Sequence, residues 1–257
     1  SRFKREWIEA CMERGEGKTF RSGIDVIPEG CQTFTGVDLG VKQTLGANVS
    51  CVFTIMLHPD DTREVINIES GKWTAPEIIS ILSDTHKRYK STIFVESNAA
   101  QDFIVQFIES QDARIPVRRF HTGSNKMHPQ FGVESIGAEL AGEKWIIPAI
   151  RDEQGTLRSH REVQAWVDQM LYYDPKGHTG DHLMACWFAK EAARKSTFRY
   201  RTAVVGGLTH NESNPVVNPL TKENIPVYRT GSSTVVDDPT SAAVWDEIRG
   251  IIDDVGH

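Results

Sequence analysis

No stretch of this 257-residue chain approaches the roughly 18 consecutive apolar residues of a membrane-spanning helix, and no secretory leader opens it. Neither membrane insertion nor export is expected. Cysteine is scarce: Cys11, Cys31, Cys51 and Cys186 are scattered and form no CxxC pair, which argues against a structural zinc site. Cys51, in a strand-like run, and Cys186, in a helix-like one, read as reduced thiols of a core. An excess of positive charge is also missing. The net charge of -6 does not suit the basic body of a non-specific nucleic-acid coat protein. Local clusters at Lys87, Arg88 and Lys90, and at Arg114, Arg118 and Arg119, can still meet phosphates on one face. The run Gly17-Lys18-Thr19 looks like the end of a phosphate-binding loop, but the glycine needed five residues before Gly17 is replaced by Met12. Nucleotide binding through that loop is therefore not expected. No internal repeat is visible.

What is present is enough apolar sequence, 39%, for one large core and a small appendage. Phe3, Trp7, Ile8 and Cys11 give residues 1–20 a helical stripe. A meander of strands is expected near 33–39, 48–57 and 63–70, with His58-Pro59-Asp60-Asp61 as a turn. Thr74, followed three residues later by Glu77, predicts a capped helix through about Tyr89, its inward face built from Ile78, Ile81, Leu82 and Thr85. The order continues as strand 91–96, helix 99–109, strand 115–120, helix 130–141 and short strand 144–147. Asp152-Glu153-Gln154-Gly155 reads as the tip of a hairpin, and helices follow at 159–171 and 181–195. The fold class is α/β: a mixed sheet with three antiparallel leading strands, further parallel strands and flanking helices. Beyond 196 the pattern weakens, regaining helical periodicity only over 240–254, and reads as an arm for a partner or for the chain's own domain.

Three acids stand out by position. Asp38 leaves the first strand of the meander between Val37 and Gly40; Glu96 ends the apolar strand Ile93-Phe94-Val95; Asp181 begins the helix containing Leu183, Met184, Trp187 and Phe188. Taken singly, each has an ordinary explanation: a strand-ending turn, an acid compensated by an arginine or helix end, a favourable helix N-terminal charge. Topology joins them. The first strand and the strand after the crossover can lie side by side, and a helix crossing the sheet then delivers Asp181. Three converging carboxylates repel unless a divalent cation joins them, and oxygen-only ligands suit magnesium or manganese. His178 and His182 flank Asp181, so a His/Asp zinc site is the competing reading, although no third nitrogen or sulfur ligand has the right spacing.

The segments TGVDLG at 35–40, IFVESN at 93–98, HTGSNK at 121–126 and HTGDHLMACWFA at 178–189 resemble the RNase H-like nuclease domain of the large terminase subunit of tailed bacteriophages. The resemblance covers roughly 30–195. It implies residues 1–30 as a linker with a short helix from an upstream packaging ATPase, 31–195 as the nuclease domain and 196–257 as a C-terminal extension able to dock on a partner. The start at SRFKREW, without a methionine, suits a piece of a longer protein.

By that resemblance Asp38 bridges two ions, Mg2+ or Mn2+, Glu96 completes the shell of one and Asp181 that of the other. His178 would ligate through water, orient one, or help protonate the leaving oxygen. Lys126 resembles a basic position beside the scissile bond, and Arg118, Arg119 and Lys144 are candidate DNA contacts. The family often has glycine soon after its Glu-x-Asn, whereas here Asn98 is followed by Ala99, Ala100 and Gln101. The implied activity is cleavage of double-stranded viral DNA concatemers at initiation and termination of packaging, by two-metal-ion hydrolysis. The implied partners are DNA, the ATPase domain, the portal and the small terminase subunit, with no membrane, in the host cytoplasm at the procapsid. Competing hydrolase readings are a junction resolvase, a hybrid-specific RNase or a transposase core. From another class comes a module that mainly docks on the portal or motor and cleaves weakly. An acidic body also predicts feeble, salt-sensitive DNA affinity.

Overall fold

The computed structural model describes residues 2–40, 49–96, 115–120, 126–208, 227–230 and 233–236. The helices expected over 99–109 and 240–254, together with His121–Asn125, Asn98, Gln101 and Arg114, lie outside the described residues. The chain divides into two compact units, residues 1–194 and 195–257.

The meander forms as the alternation requires. Strands β1 (Gln32–Asp38), β2 (Ser50–Leu57) and β3 (Arg63–Gly71) pair antiparallel. Helix α1 (Arg5–Arg14) precedes them and is shorter than the expected 1–20, because the chain turns at Gly15 and again at Gly17, whose φ is 80°. A side chain at Gly15 would meet the Ile147 carbonyl oxygen at 1.9 Å, so backbone packs directly there. Lys18, the lysine of the apparent phosphate loop, instead pairs with Glu64 at 3.3 Å.

Helix α2 (Ala75–Tyr89) opens where Glu77 accepts hydrogen bonds from the Thr74 backbone N–H and hydroxyl, and it buries Ile78, Leu82, Thr85 and Tyr89. Strands β4 (Thr92–Glu96) and β5 (Val117–Phe120) then add parallel to β1 and to each other. Helix α3 (Ser135–Ala141) starts later than expected, because residues 126–132 fold into a tight loop. Val133 N–H donates to Lys126 O at 2.9 Å and Gly132 N–H to His128 O at 2.7 Å. A side chain on Gly132 would sit 2.4 Å from Lys126 O, so only glycine closes the loop. Strand β6 (Trp145–Ile146) joins β3 in parallel, completing the sheet order β5-β4-β1-β2-β3-β6. Strands β7 (Ile150–Arg151) and β8 (Leu157–Arg158) form the hairpin whose tip was expected at 152–155. Helices α4 (Arg161–Leu171) and α5 (Asp181–Leu208) follow, then strands β9 (Val227–Thr230) and β10 (Ser233–Val236), paired antiparallel. Antiparallel leading strands, parallel additions and flanking helices make this an RNase H-like α/β fold.

The sheet's two faces are read directly from strand parity. Val37, Val52, Ile93 and Val95 face α2 through Ile78 and Leu82. Phe34, Cys51, Phe53, Phe94 and Phe120 face the opposite way, into the large core with Trp145, Trp166, Trp187 and Phe188. Cys11, Cys51 and Cys186 are buried and free; burial pushes the Cys11 thiol up to about 11 and the other two well above the ordinary range. Cys31 alone of the four retains open surface, although burial and the nearby Glu64 raise its pKa as well. Iodoacetamide on the native protein is expected to add one label, slowly, at Cys31, read by peptide mass spectrometry. Modification of Cys51 under native conditions would contradict this packing.

Candidate active site

Asp38 and Glu96 end neighbouring parallel strands. The register pairs Gly36 with Phe94 and Val37 with Val95, so the next step sets Asp38 level with Glu96. Paired residues share a face, and Glu96 is itself level with Phe120, whose ring packs 5.3 Å from both Trp187 and Phe188 of α5. Both carboxylates therefore lie on the face that α5 covers.

The approach of α5 is set at Gly36. A side chain there would lie 2.1 Å from the Ala185 carbonyl oxygen and 2.4 Å from the Ala189 nitrogen, so helix backbone rests on strand backbone. Asp181 is one helical turn before Ala185, and Asp38 is two residues beyond Gly36 on the same face. One turn is about 5.4 Å, and two strand residues span about 6.6 Å. The matching steps carry Asp181 toward Asp38.

Electrostatics record the result. Burial, then the negative charges of Asp181 and Glu96, push the Asp38 pKa up to about 8, against a smaller opposing pull from Lys126. Asp38 nevertheless keeps part of its surface open, as do Glu96, Lys126 and Asp181. Lys126 reaches this place through its tight loop, which Trp187 anchors by donating its indole N–H to Phe131 O at 2.8 Å. Arg194 lies over the Phe131 ring at 4.7 Å, and His128 stacks on that ring at 3.6 Å. Among the described residues, no three His, Cys, Asp or Glu side chains are gathered closely enough to hold a metal ion.

The remaining sequence candidates divide. His178 is exposed in the segment leading into α5, three residues ahead of Asp181. His182 points elsewhere: its ring nitrogens meet Gln169 Nε2 at 3.2 Å and Glu162 Oε2 at 2.8 Å. Arg118 is level with Phe94 and Arg119 with Val95, so the two arginines project from opposite faces. Lys144 stands next to Trp145, which pairs with Arg63 at the start of β3, whereas Asp38 is level with Ser70 near its end. That offset is roughly 20 Å along the strands, and two strands, β2 and β3, stand between β1 and β6.

Sequence reading missed Glu162 and Gln169. Their signal was a polar residue at each end of the buried helical stripe Val163, Trp166, Val167 and Met170. Glu162 is buried, and burial pushes its carboxyl up; hydrogen bonds from Ser70 and His182 more than offset this and leave it below its ordinary value.

The raised Asp38 pKa fixes the sign of a pH effect. An acid whose folded pKa is about 8 and whose unfolded value is near 3.8 costs stability as pH rises between those limits. Without divalent cations, Asp38→Asn is expected to be more stable than wild type by an amount that is negligible near pH 4. The difference should grow by at most about 1.4 kcal/mol per pH unit and level off above pH 8. Urea unfolding of both proteins across this range checks it; a constant difference would mean that neither burial nor the neighbouring acids raise the Asp38 pKa.

No family model matches the chain, and no curated protein does. Among solved structures it is similar to the large terminase nuclease from thermophilic phage G20c with bound zinc, at 13% identity and a TM-score of 0.50, covering 73% of this chain and 98% of that one. It is also similar to the human cytomegalovirus terminase nuclease domain, at 11% identity and a TM-score of 0.48, covering 74% and 94%. A third is T. thermophilus RuvC in complex with Holliday junction substrate, at 12% identity and a TM-score of 0.36, covering 65% and 96%. The first of these likenesses agrees with the fold read from the sheet order.

Proposed function

We propose that this protein is a divalent-metal-dependent endonuclease of the terminase type, which cuts double-stranded viral DNA concatemers when packaging begins and ends. The observation that carries the reading is that Asp38, level with Glu96 on the α5 face at one end of the sheet, lies in the field of both Asp181 and Glu96. A carboxyl that burial, and then two neighbouring acids, hold largely protonated is a costly feature for a fold with no use for it. A divalent cation supplies the attraction these acids lack among themselves, and oxygen donors suit Mg2+ or Mn2+.

Asp38, central to the group, is the residue proposed to belong to both ion shells, with Glu96 completing one and Asp181 the other. Two bound ions would supply an activated water and charge stabilisation at the leaving 3′ oxygen. The chain's own residues do the rest. The direct seating of α5 on Gly36 holds Asp181 in place, and the tight 126–132 loop offers Lys126 to a phosphate. His178, exposed beside Asp181, is available to orient a water or to give a proton to the leaving oxygen. Lys144, at the far end of the sheet, is not part of this proposal; Arg118, on the α5 face, suits DNA better than Arg119. The surface surrounding the site belongs to an acidic molecule, so DNA affinity should be weak and strongly salt-dependent. An upstream ATPase, portal and small subunit would supply the grip, in the host cytoplasm at the procapsid, and residues 196–257 are a proposed docking arm.

The test is a substrate panel of linear duplex, RNA–DNA hybrid and four-way-junction DNA with Mn2+ or Mg2+, run with wild type and Asp38→Asn. Preferential, Asp38-dependent cutting of duplex supports the packaging reading. Preference for junction or hybrid would replace it with a resolvase or a hybrid nuclease, and no Asp38-dependent cutting would leave the docking module.

A further inference from the structure

Helix α5 begins at a residue that cannot cap it. Gly180 accepts the first helical hydrogen bond, from Met184 N–H at 3.0 Å, and so occupies the cap position without a side chain. The missing acceptor comes from another helix: Leu183 N–H donates to Gln169 Oε1 of α4 at 3.0 Å. Glycine is what admits it, since a side chain at Gly180 would lie 2.2 Å from the Gln169 carboxamide carbon.

One contact then dictates the next. A backbone N–H can only donate, so the Gln169 atom it meets is oxygen, and the amide nitrogen faces His182 Nδ1 at 3.2 Å as a donor. Nδ1 is therefore the accepting nitrogen, and the ring proton sits on Nε2, donated to Glu162 Oε2 at 2.8 Å. The same carboxylate oxygen takes the Ser70 hydroxyl at 2.6 Å. Ser70 is level with Cys51, and Cys51 with Asp38. An unbroken, largely buried chain, half-buried at Ser70 and Gln169, thus runs from the strand two places from Asp38, through α4, to the first turn of the helix that carries Asp181.

We infer that Gln169, His182, Glu162 and Ser70 are positioning residues, which lock the first turn of α5 so that Asp181 is presented to the cation shared with Asp38. This rests on the metal-site reading above. Glu162 acts here through its shape as an acceptor, not as a ligand: its bonds from Ser70 and His182 are of a kind that a glutamine carbonyl can also accept, and its ion pair with Arg161 at 3.3 Å engages an exposed side chain.

The experiment uses the full chain and two readouts. In metal-free protein, amide exchange at Leu183 should accelerate at least about tenfold in Gln169→Leu, the loss of a cap hydrogen bond. By calorimetry with Mn2+ alone, Gln169→Leu and Glu162→Leu should weaken binding by roughly 10- to 100-fold, while Glu162→Gln stays within about threefold of wild type. Asp38→Asn, measured in parallel, should lose binding. If Asp38→Asn binds Mn2+ like wild type, the metal-site reading fails and this inference with it. If Asp38→Asn loses binding but the two leucine variants do not, or Leu183 exchange is unchanged, the positioning chain alone is overturned. Equal losses in Glu162→Gln and Glu162→Leu would also overturn it, by making Glu162 a ligand. Should either leucine variant fail to fold, the Glu162→Gln result and Gly180→Ala, expected to displace Gln169 and weaken Mn2+ binding about tenfold, decide the matter.

Discussion

Asp38→Asn is expected to lower the rate of duplex cleavage with Mn2+ or Mg2+ by at least about 10³-fold, some 4 kcal/mol of transition-state stabilisation. The substitution is nearly isosteric, but it removes the charge proposed to serve both ions. Loss of activity is easily confused with loss of folding; here the two effects have opposite signs. Asp38 is half-buried beside Asp181 and Glu96, so replacing it by a neutral residue relieves both desolvation and repulsion and should raise the stability of the metal-free protein above pH 4. A variant that melts higher and cuts at least 10³-fold more slowly would place Asp38 in the chemistry. Cleavage at the wild-type rate, scored as supercoiled plasmid lost per minute, would remove it.

The second large effect is on stability. Gly36→Ala places a methyl group 2.1 Å from one helix carbonyl oxygen and 2.4 Å from one helix nitrogen. Neither atom belongs to a side chain that can swing away, so α5 must lift from β1. Ala185, Trp187, Phe188 and Ala189 are all fully buried along that helix, and lifting it loosens them together. Overpacking costs about 1–3 kcal/mol where side chains can yield; with backbone on both sides, at least about 3 kcal/mol is expected. For a unit of this size that is a fall in Tm of roughly 6–12 °C. Activity should fall further than stability alone explains, because lifting the helix moves Asp181. A melting temperature within 2 °C of wild type, roughly 1 kcal/mol or less, would show that the helix does not rest on this glycine.

The meander was legible because its alternation is strong: Cys51, Phe53 and Ile55 on one face, Val52 and Thr54 on the other, all buried in the sheet. Helix α2 was legible from its cap, Thr74 with Glu77, whose reciprocal bonds form as expected. Helix starts were read less well wherever a turn is stabilised by distant packing. Residues 126–132 carry enough helical pattern to suggest a helix from 130, yet Gly132 is pressed against Lys126 and His128 backbone, and the helix waits until Ser135. The DNA-contact candidates show the same limit. Arg118 and Arg119 are adjacent in sequence, and strand parity sends them to opposite faces. Lys144 is as basic as Lys126, but sheet order puts it on the far edge.

Sequence alone determined most of the described elements, their order and the three acids at element ends, because periodicity and caps are local properties of a chain. Only the tertiary structure decided that Asp38 and Glu96 share one face and that Asp38 lies in the field of Glu96 and Asp181. That depends on parallel register between β1 and β4, and on a helix that can touch β1 because residue 36 has no side chain. The chain of hydrogen bonds through Gln169 was invisible for the same reason: its members are separated by up to 113 positions in the sequence, from Ser70 to Leu183, and meet only when α4 packs between β3 and α5.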